Sequence, residues 1–274
     1  GIVYFNFILG GSCHGDVFIH LFAVTRTRQN LVRGPIRDGF DIMRDKPTAR
    51  KELIPPSADR RGSTRKEWRE PVRRVRDREW VIKCLPVPTG GTKRGDHDLN
   101  QGTASQPPLT AAAVLVPIVT HAGGLTVLLT RRTGNLANHP GQISFPGGHM
   151  EAEDESPEAT ALRESEEEIG LKERPVEIIG RLDTYETCTG FSVTPVVAVL
   201  EPPLELDLDR REVEEAFEVP LDFILDAANH QRHSNDFEGG KRLFYAITYG
   251  DYHIWGATAG ILVNLYERLV GGIS

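Results

Sequence analysis

The sequence predicts an α/β or α+β sandwich in which helices pack on a β-sheet. After residue 110, short apolar runs alternate with helical segments, a mixture typical of a layered domain. The 274 residues include 39% hydrophobic residues, enough for one sizeable core. The three cysteines, Cys13, Cys84 and Cys188, form no CxxC pair. This argues against both a disulfide framework and a structural zinc site, and favours a reducing cytoplasm.

The charge distribution divides the chain into two regions. Residues 1–95 contain 20 Lys and Arg against 10 Asp and Glu, whereas residues 96–274 contain 12 against 29. Residues 1–85 are predicted to be a basic N-terminal extension, either disordered or not part of the native protein. Residues 86–110 are rich in proline and glycine and are predicted to be a linker. The folded domain is therefore placed at residues 111–274.

The basic region leaves two interpretations of its partners. A solvated extension is favoured over a nucleic-acid-binding arm, because only Trp68 and Trp80 could stack on bases and no recognition module is visible. A membrane partner is not expected, since polar residues interrupt the apolar stretch 2–24.

The elements of the folded domain follow in order from residue 111. Pro117 is expected at a sheet edge or a bulge, because proline cannot donate to a β-ladder. Ser156 is suited to cap a helix that starts with Pro157, and Gly170 is suited to end it. The predicted strands are 111–119, 125–130, 176–182 and 193–200, and the predicted helices are 156–169 and about 258–269.

The helix predicted at 156–169 carries three carboxylates on one face. Glu164, Glu167 and Glu168 share an arc of about 100°. Such a run usually marks a solvated face, since like charges oppose ionisation. A metal site is favoured here because Arg163 can pair with Glu167, and because the glycine-rich run 145–148 lets backbone approach. Carboxylate oxygens suit Mg²⁺ or Mn²⁺. The small and apolar face expected to pack on the sheet consists of Ala161, Leu162, Ser165 and Ile169.

These residues resemble the Nudix box, G-x5-E-x7-R-E-U-x-E-E-x-G-U, where U is aliphatic. Residues 163–171 read RESEEEIGL, and Glu155 stands eight residues before Arg163. Ser165 replaces an aliphatic residue, and Gly148 lies one place early. The chain is thus similar to the family, with Ser165 and one extra residue between Gly148 and Arg163 as its departures from the box.

That extra residue is similar to the branch of the family that hydrolyses coenzyme A. Residues 128–132 read LLTRR and residues 141–148 read GQISFPGG, close to the upstream signature of this branch. Thr133 and Ala137 depart from it, where serine or alanine and a second arginine are usual. Residues 187–191 and 254–259 also resemble the branch.

The resemblance implies a Nudix-like α/β/α sandwich with a mixed β-sheet between helices. It also implies hydrolysis of the coenzyme A diphosphate to 3′,5′-ADP and 4′-phosphopantetheine, with Mg²⁺ or Mn²⁺ as cofactor. The implied metal ligands are Glu164, Glu167, Glu168 and the Gly148 carbonyl. The implied catalytic residues are Arg163, Glu164 and Glu167. The residues expected to contact substrate are Arg131, Arg132, His139 and Phe145.

Several alternatives stay open at this stage. The general base belongs either to the box helix or to a loop or helix start that includes Glu212, Glu214, Glu215 and Glu218. The substrate is coenzyme A or another dinucleotide-like diphosphate, with nucleoside triphosphates, ADP-ribose and capped RNA as alternatives. A non-catalytic nucleotide-binding regulator is the alternative of another class. A homodimer is also left open.

Overall fold

The computed structural model describes residues 76–85, 93–100, 108–134, 141–172, 176–237 and 240–271. Predictions that concern residues 1–75 and His139 lie outside these ranges. The described helices are α1 (Arg78–Cys84), α2 (Pro157–Ile169), α3 (Leu221–Ile224) and α4 (Gly256–Gly271). The described strands are β1 (Arg94–Gly95), β2 (Thr110–His121), β3 (Gly124–Arg132), β4 (Ile143–Ser144), β5 (Gly147–His149), β6 (Val176–Arg181), β7 (Tyr185–Glu186), β8 (Phe191–Leu200), β9 (Val213–Pro220), β10 (Gln231–Phe237), β11 (Gly240–Tyr249) and β12 (Tyr252–Trp255). Among these helices, none combines the length and apolar character needed to cross a bilayer.

Strand β2 is the centre of a mixed sheet of nine strands. It pairs in parallel with β8 along one side, and on its other side it pairs antiparallel first with β5 and then with β3. Pro117 lies inside β2, between the stretch paired with β5 and the stretch paired with β3. The expectation of an edge or bulge is therefore wrong. Proline is tolerated inside the strand because neither β5 nor β3 pairs with β2 at this position, so the missing N–H removes no ladder bond on that side. Strands β10, β11 and β12 form a second, antiparallel sheet.

Successive side chains of β2 point to opposite faces of the main sheet and contribute to two cores, one on each face. Val114 and Val116 pack on the side of α4, with Leu262 among their neighbours. Leu115 packs on the opposite side, where α2 supplies Ala161 and Ile169. Helices on both faces of a mixed sheet confirm the predicted α/β/α sandwich.

The packed unit extends upstream of the predicted boundary at residue 111. Helix α1 buries Val81 and Cys84 in the core on the α4 side, and Leu85 follows them. Strand β1 pairs in parallel with β7. The ends of the predicted extension and linker are thus built into the fold. Composition could not reveal this, because the partners are about 90 residues away in sequence.

Candidate active site

Helix α2 has the predicted start and end. The Ser156 hydroxyl accepts a hydrogen bond from the Ala159 N–H at 3.2 Å, and Pro157 occupies the first turn. Gly170 ends the helix in the left-handed region at φ 66°. The Glu168 carbonyl accepts a hydrogen bond from the Asp209 N–H at 2.9 Å. Both ends of the helix are thus fixed, which positions the side chains between them.

Glu164 lies in the interior against a glycine strand. Its side chain is only 1% exposed, and a Cβ added to Gly148 would lie 2.3 Å from its carboxylate carbon. Gly148 belongs to β5, which pairs with Ala113 of β2. A side chain at residue 148 would therefore displace the Glu164 carboxylate from this position. Burial raises the pKa of Glu164, while the Arg163 guanidinium acts in the opposite direction.

Glu168 is one helical turn further on and is also buried, at 3% exposure. Within the described residues, neither of its carboxylate oxygens accepts a hydrogen bond of ordinary geometry. Burial, with Glu164 and Glu212 nearby, raises the pKa of Glu168 well above its usual value; the Gly147 N–H and Arg132 act against this. A buried carboxylate with few hydrogen-bond donors is costly, so this position fits a bound cation.

Arg163 orients the backbone and side chains around the two glutamates. Its guanidinium donates to Asp154 at 2.9 and 3.1 Å, to Glu164 Oε1 at 3.1 Å and to the His149 carbonyl at 3.1 Å. Asp154 also accepts hydrogen bonds from Thr160 and from the Glu151 N–H, both at 2.9 Å. The hydrogen bonds from Arg163 hold the pKa of Asp154 well below its usual range.

Asp154 is a site residue that the spacing in the sequence did not identify, because Glu155 matched the first acidic position of the box. The structure leaves Glu155 exposed and places Asp154 on Arg163. Asp154 follows Gly148 after five residues, so the family spacing on that side is preserved. The extra residue therefore lies between Asp154 and Arg163. The spacing itself was the signal that could have identified it.

The three predicted carboxylates do not converge. The Glu167 side chain is 59% exposed and approaches Arg163 only at 3.7 Å. Across the described ranges, no group of three His, Cys, Asp or Glu side chains is close enough to hold one metal ion. The predicted packing face is confirmed for Ala161, Ser165 and Ile169, whereas Leu162 is only half-buried. Carboxylate oxygens are available from Glu164 and Glu168, with the Gly148 backbone beside them.

Arg131 and Arg132 lie on opposite faces of the sheet and do not act as a pair. Arg131 binds Glu215 at 2.8 Å and lies over the Tyr252 ring, on the side of α4. Arg132 is 9% exposed and lies on the side of α2, where its charge lowers the pKa of Glu168. Only Arg132 is therefore close to the two buried glutamates.

Phe145 is a core residue rather than a substrate contact. It is 3% exposed and packs in the core on the α4 side, which contradicts its predicted role. Nearby, the buried Thr258 hydroxyl donates to the Ile143 carbonyl at 3.1 Å. This bond ties the start of α4 to the strand that leads to Gly148. This hydrogen bond accounts for the position of Thr258 within the 254–259 motif.

The four candidates for the general base lie on or beside strand β9, not in a helix start. Glu218 binds His121 at 2.6 Å. Glu215 accepts a hydrogen bond from the Tyr252 hydroxyl at 2.7 Å, and Glu214 is exposed. Glu212 is the candidate whose charge raises the pKa of Glu168, so among these four residues Glu212 is the one that acts on a buried glutamate of α2.

A helix with two buried carboxylates against a glycine strand, in an α/β/α sandwich, defines a candidate phosphate-processing metal site. A NUDIX domain model matches residues 109–237. The chain is 39% identical over 158 residues to the uncharacterized Nudix hydrolase NudL of Photorhabdus laumondii, covering 58% of this chain and 84% of that protein. It is 40% identical over 155 residues to NudL of Escherichia coli, covering 56% and 80%.

The chain therefore belongs to the Nudix hydrolase family and is a pyrophosphohydrolase acting on a nucleoside diphosphate derivative. Enzymes of this family generally use divalent metal ions and act on small-molecule diphosphates. A crystal structure of a C. elegans Ap4A hydrolase is 25% identical and covers 40% of this chain and 80% of that one. Its TM-score of 0.36 is too low to support a functional inference.

Proposed function

We propose that the protein hydrolyses the diphosphate bond of coenzyme A or its derivatives, releasing 3′,5′-ADP and 4′-phosphopantetheine. The class of bond follows from the family, whereas the choice of coenzyme A rests on the runs LLTRR and GQISFPGG at 128–132 and 141–148. The structure supports the relevance of the second run, because its last residue, Gly148, packs directly on Glu164.

The observation that carries the proposal is a pair of carboxylates, Glu164 and Glu168, which lie one helical turn apart and are both buried beside the backbone of Gly147 and Gly148. Carboxylate oxygens are hard donors that fit Mg²⁺ or Mn²⁺, and a bound cation would favour the ionised form of both groups against the effect of burial. We assign Glu164, Glu168 and the Gly148 carbonyl as the residues that would hold the ion, and substrate phosphates and water would complete its shell. When bound, the ion would neutralise charge on the diphosphate and acidify a water.

The chain's own groups then have separate tasks. Arg163 holds Glu164 and the His149 carbonyl in place, so it is a positioning residue. Arg132, on the same face, would bind a phosphate oxygen with its guanidinium. Glu212 is the proposed general base, because among the β9 candidates it is the one whose charge acts on Glu168. Glu167, at the exposed rim, would join the metal shell only after a change of rotamer.

Product analysis separates this proposal from its alternatives. The purified protein would be incubated with coenzyme A, ADP-ribose or a nucleoside triphosphate in Mg²⁺ or Mn²⁺, and the products would be identified by mass. We expect 3′,5′-ADP from coenzyme A, and its loss in Glu168→Gln. If only another diphosphate were cleaved, the proposed substrate would be wrong and the proposed metal site would still stand. Binding without any cleavage would favour a nucleotide-binding regulator.

A further inference from the structure

A short segment upstream of the matched domain is fastened to one end of the main sheet. Residues 93–100, called the N-terminal strap below, lie outside the stretch 109–237 that matches the NUDIX domain. Arg94 donates its N–H to the Thr184 carbonyl at 2.9 Å, and its side chain pairs with Asp98 and Glu267. Asn100 exchanges two hydrogen bonds with the Leu243 backbone, at 2.7 and 2.8 Å.

Asp96 is the strap residue that reaches the loop between β7 and β8. One carboxylate oxygen accepts a hydrogen bond from the Tyr185 hydroxyl at 2.9 Å, and the other accepts from the Cys188 N–H at 2.8 Å. The Tyr185 ring is buried against Gly260 of α4. Asp96 therefore joins one residue fixed in the core to one residue of the loop. We call residues 187–190 the β7–β8 loop.

The β7–β8 loop lies at the sheet end that also carries the catalytic glycine. Ala112 of β2 is paired with Val193 of β8 on one side and with His149 of β5 on the other. Since neighbouring strands are about 4.8 Å apart, the loop starts roughly 15 Å from Gly148, three strands away. The Gly190 carbonyl accepts a hydrogen bond from the Thr110 N–H at 2.8 Å, which holds the far side of the loop on β2.

The residue that follows the loop also contacts the strand that carries Gly148. Phe191, which follows the loop, has its ring centroid 5.2 Å from that of His149. The His149 carbonyl in turn accepts a hydrogen bond from Arg163. A group that is attached to a diphosphate held at Gly148 and extends along this sheet end would reach the loop. The loop is thus placed to contact a part of the substrate that does not react.

We propose that Asp96 is a positioning residue that fixes the β7–β8 loop as a wall for the group attached to the substrate diphosphate. This inference rests on the proposed diphosphate hydrolysis. It assigns to the strap, which the family match does not include, a share in substrate selection. The metal-binding helix makes no contact with Asp96 through these bonds, so the chemical step should be independent of it.

The test compares Asp96→Ala with Asp98→Ala, a matched change in the same strap that removes a bond to Arg94 and the neighbouring contact with His97. For Asp96→Ala, which removes both hydrogen bonds of the carboxylate, we expect KM for coenzyme A to rise about tenfold, with kcat nearly unchanged. The ratio of kcat/KM for coenzyme A to that for ADP-ribose should change. Asp98→Ala should leave this ratio unchanged, and Asp96→Asn, which keeps one acceptor, should restore most of the wild-type KM.

Amide hydrogen exchange supplies a readout that is independent of turnover. Amides of residues 187–191 should exchange faster in Asp96→Ala, while those of 164–168 should not. An unchanged exchange rate, or an unchanged substrate ratio in an active enzyme, would overturn the inference about Asp96 and leave the proposed function intact. A wild-type protein that cleaves no diphosphate would reject the proposed function and the substrate selection that rests on it.

Discussion

Burial separates the four glutamates that lie between residues 164 and 168, near the end of α2. Glu164 and Glu168 are buried, whereas Glu166 and Glu167 are exposed. A helical repeat of about 3.6 residues places positions four apart on one side, so the two buried residues share the face that meets β5. Among these four residues, only Glu166 and Glu167 are exposed to solvent. The side of α2 that packs on the sheet therefore determines which glutamates could bind a metal ion and which are solvated.

Asp154 should matter for activity and Glu155 should not. Asp154→Asn weakens the hydrogen bonds that orient Arg163, and we expect kcat/KM to fall by about 10- to 100-fold, as is typical when the support of a metal site is lost. Glu155→Gln, one residue away and exposed, should remain within about twofold of the wild type. Steady-state kinetics on both variants provide the measurement. Equal losses would contradict the assignment of Asp154.

Of the two adjacent arginines, Arg132 should matter for substrate binding and Arg131 should not. Arg132→Ala should raise KM by at least about tenfold, because it removes a guanidinium beside the proposed phosphate site. Arg131→Ala should leave KM nearly unchanged and cost about 1 kcal/mol of unfolding free energy, through its partly exposed pair with Glu215. Kinetics and urea denaturation of each variant distinguish the two roles. A larger KM effect for Arg131 would place the phosphate on the other face.

At the scale of elements, the contact between α2 and β5 forms the site. Gly148 brings the strand backbone against Glu164, while the Asp209 N–H fixes the end of the helix. The caps of α2 were predicted from sequence because capping depends on neighbours within one turn. The orientation of Arg131 and Arg132 was also accessible in principle, since side chains alternate along a strand. The burial of Phe145 was not, because it depends on α4 packing over it.

Gly148→Ala should disable this contact. The added methyl would lie 2.3 Å from the Glu164 carboxylate, so we expect activity to fall by more than about 100-fold, because small displacements of catalytic groups have effects of this size. Gly123→Ala is the control, since a methyl there meets nothing within 4 Å. Activity and circular dichroism of both variants would be compared. A fully active Gly148→Ala would show that Glu164 is not held by this strand.

At the scale of the whole molecule, long-range contacts complete a domain whose core elements are local. The sequence predicted the sandwich, four of its main strands and its two long helices. It placed the start of the folded domain too late, since α1 and β1 are held by residues distant in sequence. It also did not identify β9 as a strand, because the acidic residues of β9 conceal its alternating buried positions.

Acid should destabilise the fold partly through Asp154. Hydrogen bonds from Arg163 lower the pKa of this residue in the folded state, below the unfolded value of about 3.9. Its contribution to stability is therefore present above about pH 4 and is lost as the pH falls towards the folded-state pKa. The free energy of unfolding should decrease more steeply for the wild type than for Asp154→Asn between about pH 5 and about pH 2. Parallel slopes in denaturant titrations would contradict this.

The most direct measurement for the central claim is Mn²⁺ binding to the wild type, Glu168→Gln and Glu166→Gln, followed by electron paramagnetic resonance without substrate. Glu166 is the matched control, because it is an exposed glutamate on the same helix. We predict that Glu168→Gln weakens Mn²⁺ binding by about 10-fold or more, whereas Glu166→Gln binds as the wild type does. Equal affinities in all three proteins would show that the buried carboxylates of α2 do not hold the metal.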